Sequence, residues 1–92
     1  MTEQEIYQKA IDKWGLEKQA LKAVEEMAEL IQALVKDNFH KPASQEICEN
    51  IHEEIADVEI MLAQLRLIYP SDLIDKQKHF KLKRLQETIE KG

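Results

Sequence analysis

Only four of the 92 residues are glycine or proline, two of each, and this scarcity of chain breakers constrains the fold more than any other feature. A fold of short strands needs tight turns at close intervals, and tight turns draw on these residues. Long helices do not. The breakers stand at Gly15, Pro42, Pro70 and Gly92. Between them apolar residues recur at three- and four-residue spacing, the period of an amphipathic helix. The expected fold class is all-α, four helices packed as a bundle, in a single domain over residues 1–92.

Thr2 with Glu5 has the spacing of a capping box, which would open helix 1 and carry it to Trp14. Gly15 suits the position just past a helix end. Helix 2 is predicted from Glu17 to Asp37, with Ala20, Val24, Met27, Ile31 and Leu34 as its central apolar stripe. Leu21, Ala28 and Val35 widen that stripe on one side, Ala23 and Leu30 on the other. An arc this wide calls for burial against two or more neighbours. Asn38 to Pro42 reads as a loop. Ser44 can cap helix 3, whose stripe is Ile47, Ile51, Ile55, Val58, Leu62 and Leu65, and Pro70 stops it after Tyr69. Ser71 or Asp72 then opens helix 4, with Leu73, Phe80, Leu82, Leu85 and Ile89 apolar.

A domain this short buries only about 60–65% of the surface of its unfolded chain. Its core is thin and, with aromatic residues scarce, mainly aliphatic. Thin core and wide arcs together predict at least a homodimer. The formal net charge of −5 argues against nucleic acid as a polymeric partner. No apolar run approaches the ~20 residues of a membrane span. The N-terminal Met-Thr-Glu-Gln-Glu lacks the features of a signal peptide, so a cytoplasmic location is expected. Cys48 is the single cysteine, excludes an intrachain disulfide, and reads as a small buried hydrophobe.

The chemistry lies in two carboxylate pairs. Helix 2 carries Glu25, Glu26 and Glu29; helix 3 carries Glu54 and Asp57. Residues three apart are neighbours on a helix surface, which pairs Glu26 with Glu29 and Glu54 with Asp57. Helices joined by a short loop lie antiparallel, and both pairs then fall at similar depth. Two unit charges ~4 Å apart repel by about 4 kcal/mol at an effective dielectric of 20. Protonation, basic neighbours or a metal ion must offset that. Oxygen ligands alone suit hard cations, Mg²⁺ or Mn²⁺. Taken by itself, the acidic run of helix 2 falls in the middle of its polar arc and reads as a solvated face. Glu54 and Asp57 share their face with Ile47 and Met61, which points instead to a partly buried acidic patch.

The pattern Glu25-Glu26-x-x-Glu29, then Glu54-x-x-Asp57 after a gap of 24 residues, resembles the signature of the all-α nucleoside triphosphate pyrophosphohydrolases, the MazG-like group. Gly15 and Gln19 ahead of the acidic run, and the segment Lys81 to Gly92, look like the corresponding parts of small single-domain members. The resemblance implies a helical bundle completed by homodimer or homotetramer formation. It also implies Mg²⁺-dependent hydrolysis of a nucleoside triphosphate to the monophosphate and pyrophosphate, in a nucleotide-pool housekeeping role. Glu26, Glu29, Glu54 and Asp57 would ligate the metal. Glu25, the extra acid, would complete a second metal site, orient the ligand or help activate water.

Phosphates also need cations. Lys78, Lys81 and Arg84 stand at steps of three on helix 4 and are candidates for phosphate contact, although basic residues near a helix C-terminus are favoured by the dipole in any case. Lys22 reads as an ion-pair partner of Glu25 and Glu26 one turn away. Trp14 reads first as a core residue, with stacking on a base as the functional alternative. Gln19 is a candidate for a base or sugar contact. Tyr7 and Met61 read as packing residues. Two other readings compete. Glu49-x-x-His52 has the spacing of a carboxylate-bridged di-iron ligand pair, but occurs once and on the opposite side of helix 3. A non-catalytic helical interaction module, or an inactive relative of the family, would leave the matched acids without a role.

Overall fold

Helix 1 does start where Thr2 can cap it. In the computed structural model, which describes residues 1–37 and 45–92, α1 spans Glu3–Trp14 and the Thr2 hydroxyl accepts a hydrogen bond from the Glu5 N–H at 3.1 Å. Gly15 ends it with φ 92°, a conformation that needs glycine, and its N–H donates to the Ile11 carbonyl at 2.8 Å. The chain turns at once into α2, Leu16–Asp37, and continues as α3, Gln45–Ile68, and α4, Ser71–Lys91. The described residues form four helices and no strand, an all-α fold. The expected loop from Asn38 to Pro42 and the Ser44 cap lie outside them. Helix 4 opens at Ser71, as expected, although no side chain caps it. Pro70 occupies the cap position without a side-chain bond. The Ser71 hydroxyl instead accepts from Arg66 Nη1 at 2.9 Å, and the same nitrogen reaches Asp75 Oδ1 at 2.7 Å. One arginine thus spans the joint between α3 and α4.

α2 and α3 form the principal pair, and α1 packs on both. Lys18, Gln19 and Lys22 share a cleft with Met61, whereas Ala33 and Lys36 share one with Glu46 to Glu53, so α2 and α3 run antiparallel. The core consists of Ile11, Ala23, Ala33, Val58 and Met61. Ala23 and Ala33 sit on the side of α2 that faces α3, and their small side chains let the two helices approach closely.

That choice of face corrects the predicted stripe. Val24 and Ile31, placed at its centre, are about 60% exposed, and Leu21 and Val35 are also exposed. The inward line of α2 is Gln19, Ala23, Glu26, Leu30 and Ala33. On α3, Val58 and Met61 are buried and Leu65 half-buried, but Ile55 and Leu62 are exposed. Cys48 is half-buried rather than buried. Trp14 is exposed rather than core, and the last turn of α1 buries Ile11 instead.

Among the described residues α4 packs only on α3 and buries no residue. The four helices therefore do not close into a bundle within one chain: α1, α2 and α3 make the core and α4 leaves it as an arm. No helix among the described residues is long and apolar enough to cross a membrane.

Candidate metal centre

The antiparallel pairing of α2 and α3 brings Glu26, Glu29 and Glu54 together, each offering a carboxylate oxygen within 4.8 Å of the others. Glu26 is only 8% exposed, Glu54 is half-buried and Glu29 is exposed, so the cluster is closed on its inner side and open to solvent on its outer side. Glu26 is inward because it lies on the same line of α2 as the buried Ala23 and Ala33, three residues after the first and seven before the second. The solvated-face reading of the acidic run thus fails for Glu26 and holds for Glu25, which is exposed.

Partial compensation comes from one cation. Lys22 Nζ lies 3.1 Å from Glu26 Oε1 and 3.7 Å from Glu25 Oε2, the i,i+4 and i,i+3 pairs expected of it. The Lys22 hydrogen bond to Glu26 and the charges of Glu25 and Glu26 hold its pKa above the ordinary lysine value. Two other oxygens, Glu26 Oε2 and Glu54 Oε2, are buried and have no hydrogen-bond donor among the described residues. Buried acceptors without donors are costly, and one on each of two clustered carboxylates calls for a partner.

Glu29 registers the crowding. The Glu26 charge, then loss of water, then the Glu54 charge hold its pKa above the usual carboxylate value. A raised carboxylate pKa means that the folded chain binds this proton more tightly than the unfolded chain does. The contribution of Glu29 to stability is therefore present at low pH and lost as pH rises through the raised value. A divalent cation competes for the same deprotonated oxygens. Mg²⁺ is thus expected to raise the melting temperature near neutral pH and to have little effect once Glu29 is protonated. Thermal melts with and without Mg²⁺ across the carboxylate titration range check this; equal stabilisation throughout would contradict it.

The other sequence candidates are placed as follows. Asp57 is exposed and is not part of the three-carboxylate group. Lys78, Lys81 and Arg84 are exposed on α4, which does not pack on α2, so one chain does not bring them to the carboxylates. Lys81 and Arg84 line a shallow cleft of their own with Leu85 and Thr88. Glu49 and His52 are both exposed, and the metal-competent group among the described residues contains no histidine. That leaves the di-iron reading without support.

Gln19 and Trp14 do share a cavity. A cleft of about 480 Å³ is lined by Trp14, Lys18, Gln19, Leu21, Lys22, Glu25 and Met61. It runs from the end of α1 to Glu25, at the edge of the carboxylate cluster. Sequence reasoning passed over Met61, in this cleft, and Gln64, whose amide donates to the Met61 sulfur. Met61, read as packing, is a wall of the cleft as well as core. Gln64, not singled out at all, is 5% exposed. The available signal was a polar residue one turn beyond Met61 on an otherwise apolar line.

Comparison with family models, with curated proteins and with solved structures finds no significant match for this chain.

Proposed function

We propose that the protein is a metal-dependent nucleoside triphosphate pyrophosphohydrolase. The observation that carries this reading is the clustering of Glu26, whose buried Oε2 has no donor among the described residues, with Glu29 and Glu54. The donor set is all carboxylate oxygen, which fits Mg²⁺ or Mn²⁺ and fits softer metals poorly. Glu26, Glu29 and Glu54 hold the ion, and by the motif resemblance Asp57 joins them. The bound ion supplies neutralisation of phosphate charge and acidifies water in its reach.

The chain's own residues do the rest. Lys22, beside the cluster, offers a fixed positive charge to the phosphates. The cleft toward Trp14 receives the nucleoside. Glu25 stands at the junction of cleft and cluster and takes the proton of the attacking water. The water oxygen bonds to the α phosphorus, the bond from that phosphorus to the bridging oxygen breaks, and pyrophosphate leaves with the bridging oxygen. Lys81 and Arg84 reach phosphate only if another copy presents its α4.

A homodimer or homotetramer belongs to this reading. Leu21, Val24, Ala28, Ile31 and Val35 follow one another at steps of 3, 4, 3 and 4 and are all exposed. That is the seam of a helix packed against another helix.

The test is pyrophosphate release from a panel of ribo- and deoxyribonucleoside triphosphates, with Mg²⁺ and with EDTA. The expected outcome is a monophosphate product and release abolished by EDTA. Release unaffected by EDTA, or none from any triphosphate, contradicts the proposal; the latter together with an unchanged melting temperature in Mg²⁺ would favour a helical interaction module.

A further inference from the structure

We infer that Gln64, backed by Gln19, is the residue that reads the nucleobase, through hydrogen bonds of its side-chain amide to the base edge; this rests on the nucleotide reading of the cleft. The starting point is an amide buried without adequate partners. Among the described residues Gln64 Nε2 donates only to the sulfur of Met61, at 3.9 Å, and the buried Oε1 has no donor. The sulfur is an acceptor only, so it takes the N–H and leaves the carbonyl oxygen unserved. A thioether is a weak acceptor, and exchanging it for a ring nitrogen or carbonyl of a base costs little. An unserved acceptor beside a loosely held donor matches a base edge that presents an N–H next to an acceptor. Glutamine amides pair with nucleobase edges in this bidentate way.

The position fits as well. Seven residues at about 1.5 Å each place Gln19 about 10 Å from Glu26 along α2, and ten place Gln64 about 15 Å from Glu54 along α3. Because the helices are antiparallel, both displacements run toward the same end of the pair. The two amides therefore lie beyond the carboxylates by the reach of a triphosphate and a sugar. Gln19 lines the cleft directly. Met61 lines it too, and its sulfur is the acceptor of the Gln64 amide. Methionine has three flexible bonds, so it can swing aside and hand the amide to a ligand. Trp14 offers its exposed ring as the stacking surface.

Trp14 is the single tryptophan, so its fluorescence reports occupancy of the cleft without any turnover. The experiment titrates the protein in EDTA with the nucleoside monophosphates of the common bases. It uses the native chain and Gln64→Leu, with helix content and melting temperature as controls on folding. The native chain is expected to separate the best and worst base by at least about tenfold, and Gln64→Leu to shrink that ratio toward one. The preferred monophosphate with its hydrogen-bonding base edge methylated should bind the native chain as weakly as the unmodified one binds the variant. Undiminished base preference in Gln64→Leu overturns the inference, as does an absence of any fluorescence change at millimolar monophosphate. A Gln64→Leu chain that fails to fold shifts the decision to the methylated ligand on the native chain, where undiminished binding overturns it. Metal and triphosphate are absent throughout, so the outcome is separate from that of the pyrophosphate assay.

Discussion

Glu54→Gln is expected to abolish Mg²⁺-dependent turnover while making the metal-free protein more stable. Both signs follow from one fact. Glu54 is half-buried, one of its oxygens has no donor, and its charge adds to that of Glu26 in pushing the Glu29 proton affinity up. The amide removes that charge and can donate to a neighbouring carboxylate, which relieves the unliganded site. The same change removes a metal ligand. Loss of several kcal/mol of charge stabilisation in the transition state corresponds to a fall of about 100-fold or more in kcat/KM. Stabilisation by Mg²⁺, which for one site amounts to about 2.7 kcal/mol at a hundred times the Kd, should vanish as well. Melting temperatures with and without Mg²⁺, alongside pyrophosphate release, check all three. A variant less stable than the native chain without metal, yet still stabilised by Mg²⁺, would show that the cluster is structural. Glu25→Gln makes the useful contrast: it should lower turnover and leave Mg²⁺ stabilisation in place, because Glu25 pairs with Lys22 outside the three-carboxylate group.

Replacing Val24 and Ile31 together by aspartate is expected to turn an oligomer into monomers. Both residues lie on the exposed seam of α2. Full burial of one such side chain contributes about 1.5–3 kcal/mol, and a two-fold interface counts each residue twice. The double variant removes that contribution and adds like charges that meet across the seam. Sedimentation equilibrium of the native chain at micromolar concentration should give a dimer or larger species with a melting temperature that rises with concentration. The variant should sediment as a monomer with no such dependence. A native chain that is monomeric at these concentrations would remove the second copy from the functional reading and leave Lys81 and Arg84 without a route to the phosphates.

What the sequence by itself determined is local. Gly15 and Pro70 separate helices because one supplies a positive φ and the other cannot continue the hydrogen-bond ladder, and neither effect needs a partner. The Thr2 cap and the three-residue spacing of Glu26 with Glu29 are of the same kind. Which stripe of a helix turns inward is not local. α2 carries a bulky apolar line through Val24 and Ile31 and a smaller line through Ala23 and Ala33, and composition favours the first. The tertiary structure chose the second, because alanines admit α3 at close range, and with them it drew in Glu26 from the middle of a polar arc. The same choice set Glu54 opposite Glu26 while Asp57 stayed in solvent, and it put Gln64 in the core beside Met61. Beyond the joint at Pro70, spanned by Arg66, α4 packs on α3 and not on α2 among the described residues, so the cations of α4 stand apart from the carboxylates. Periodicity defines the faces of a helix, but the selection among them is made by the shape of what packs against it.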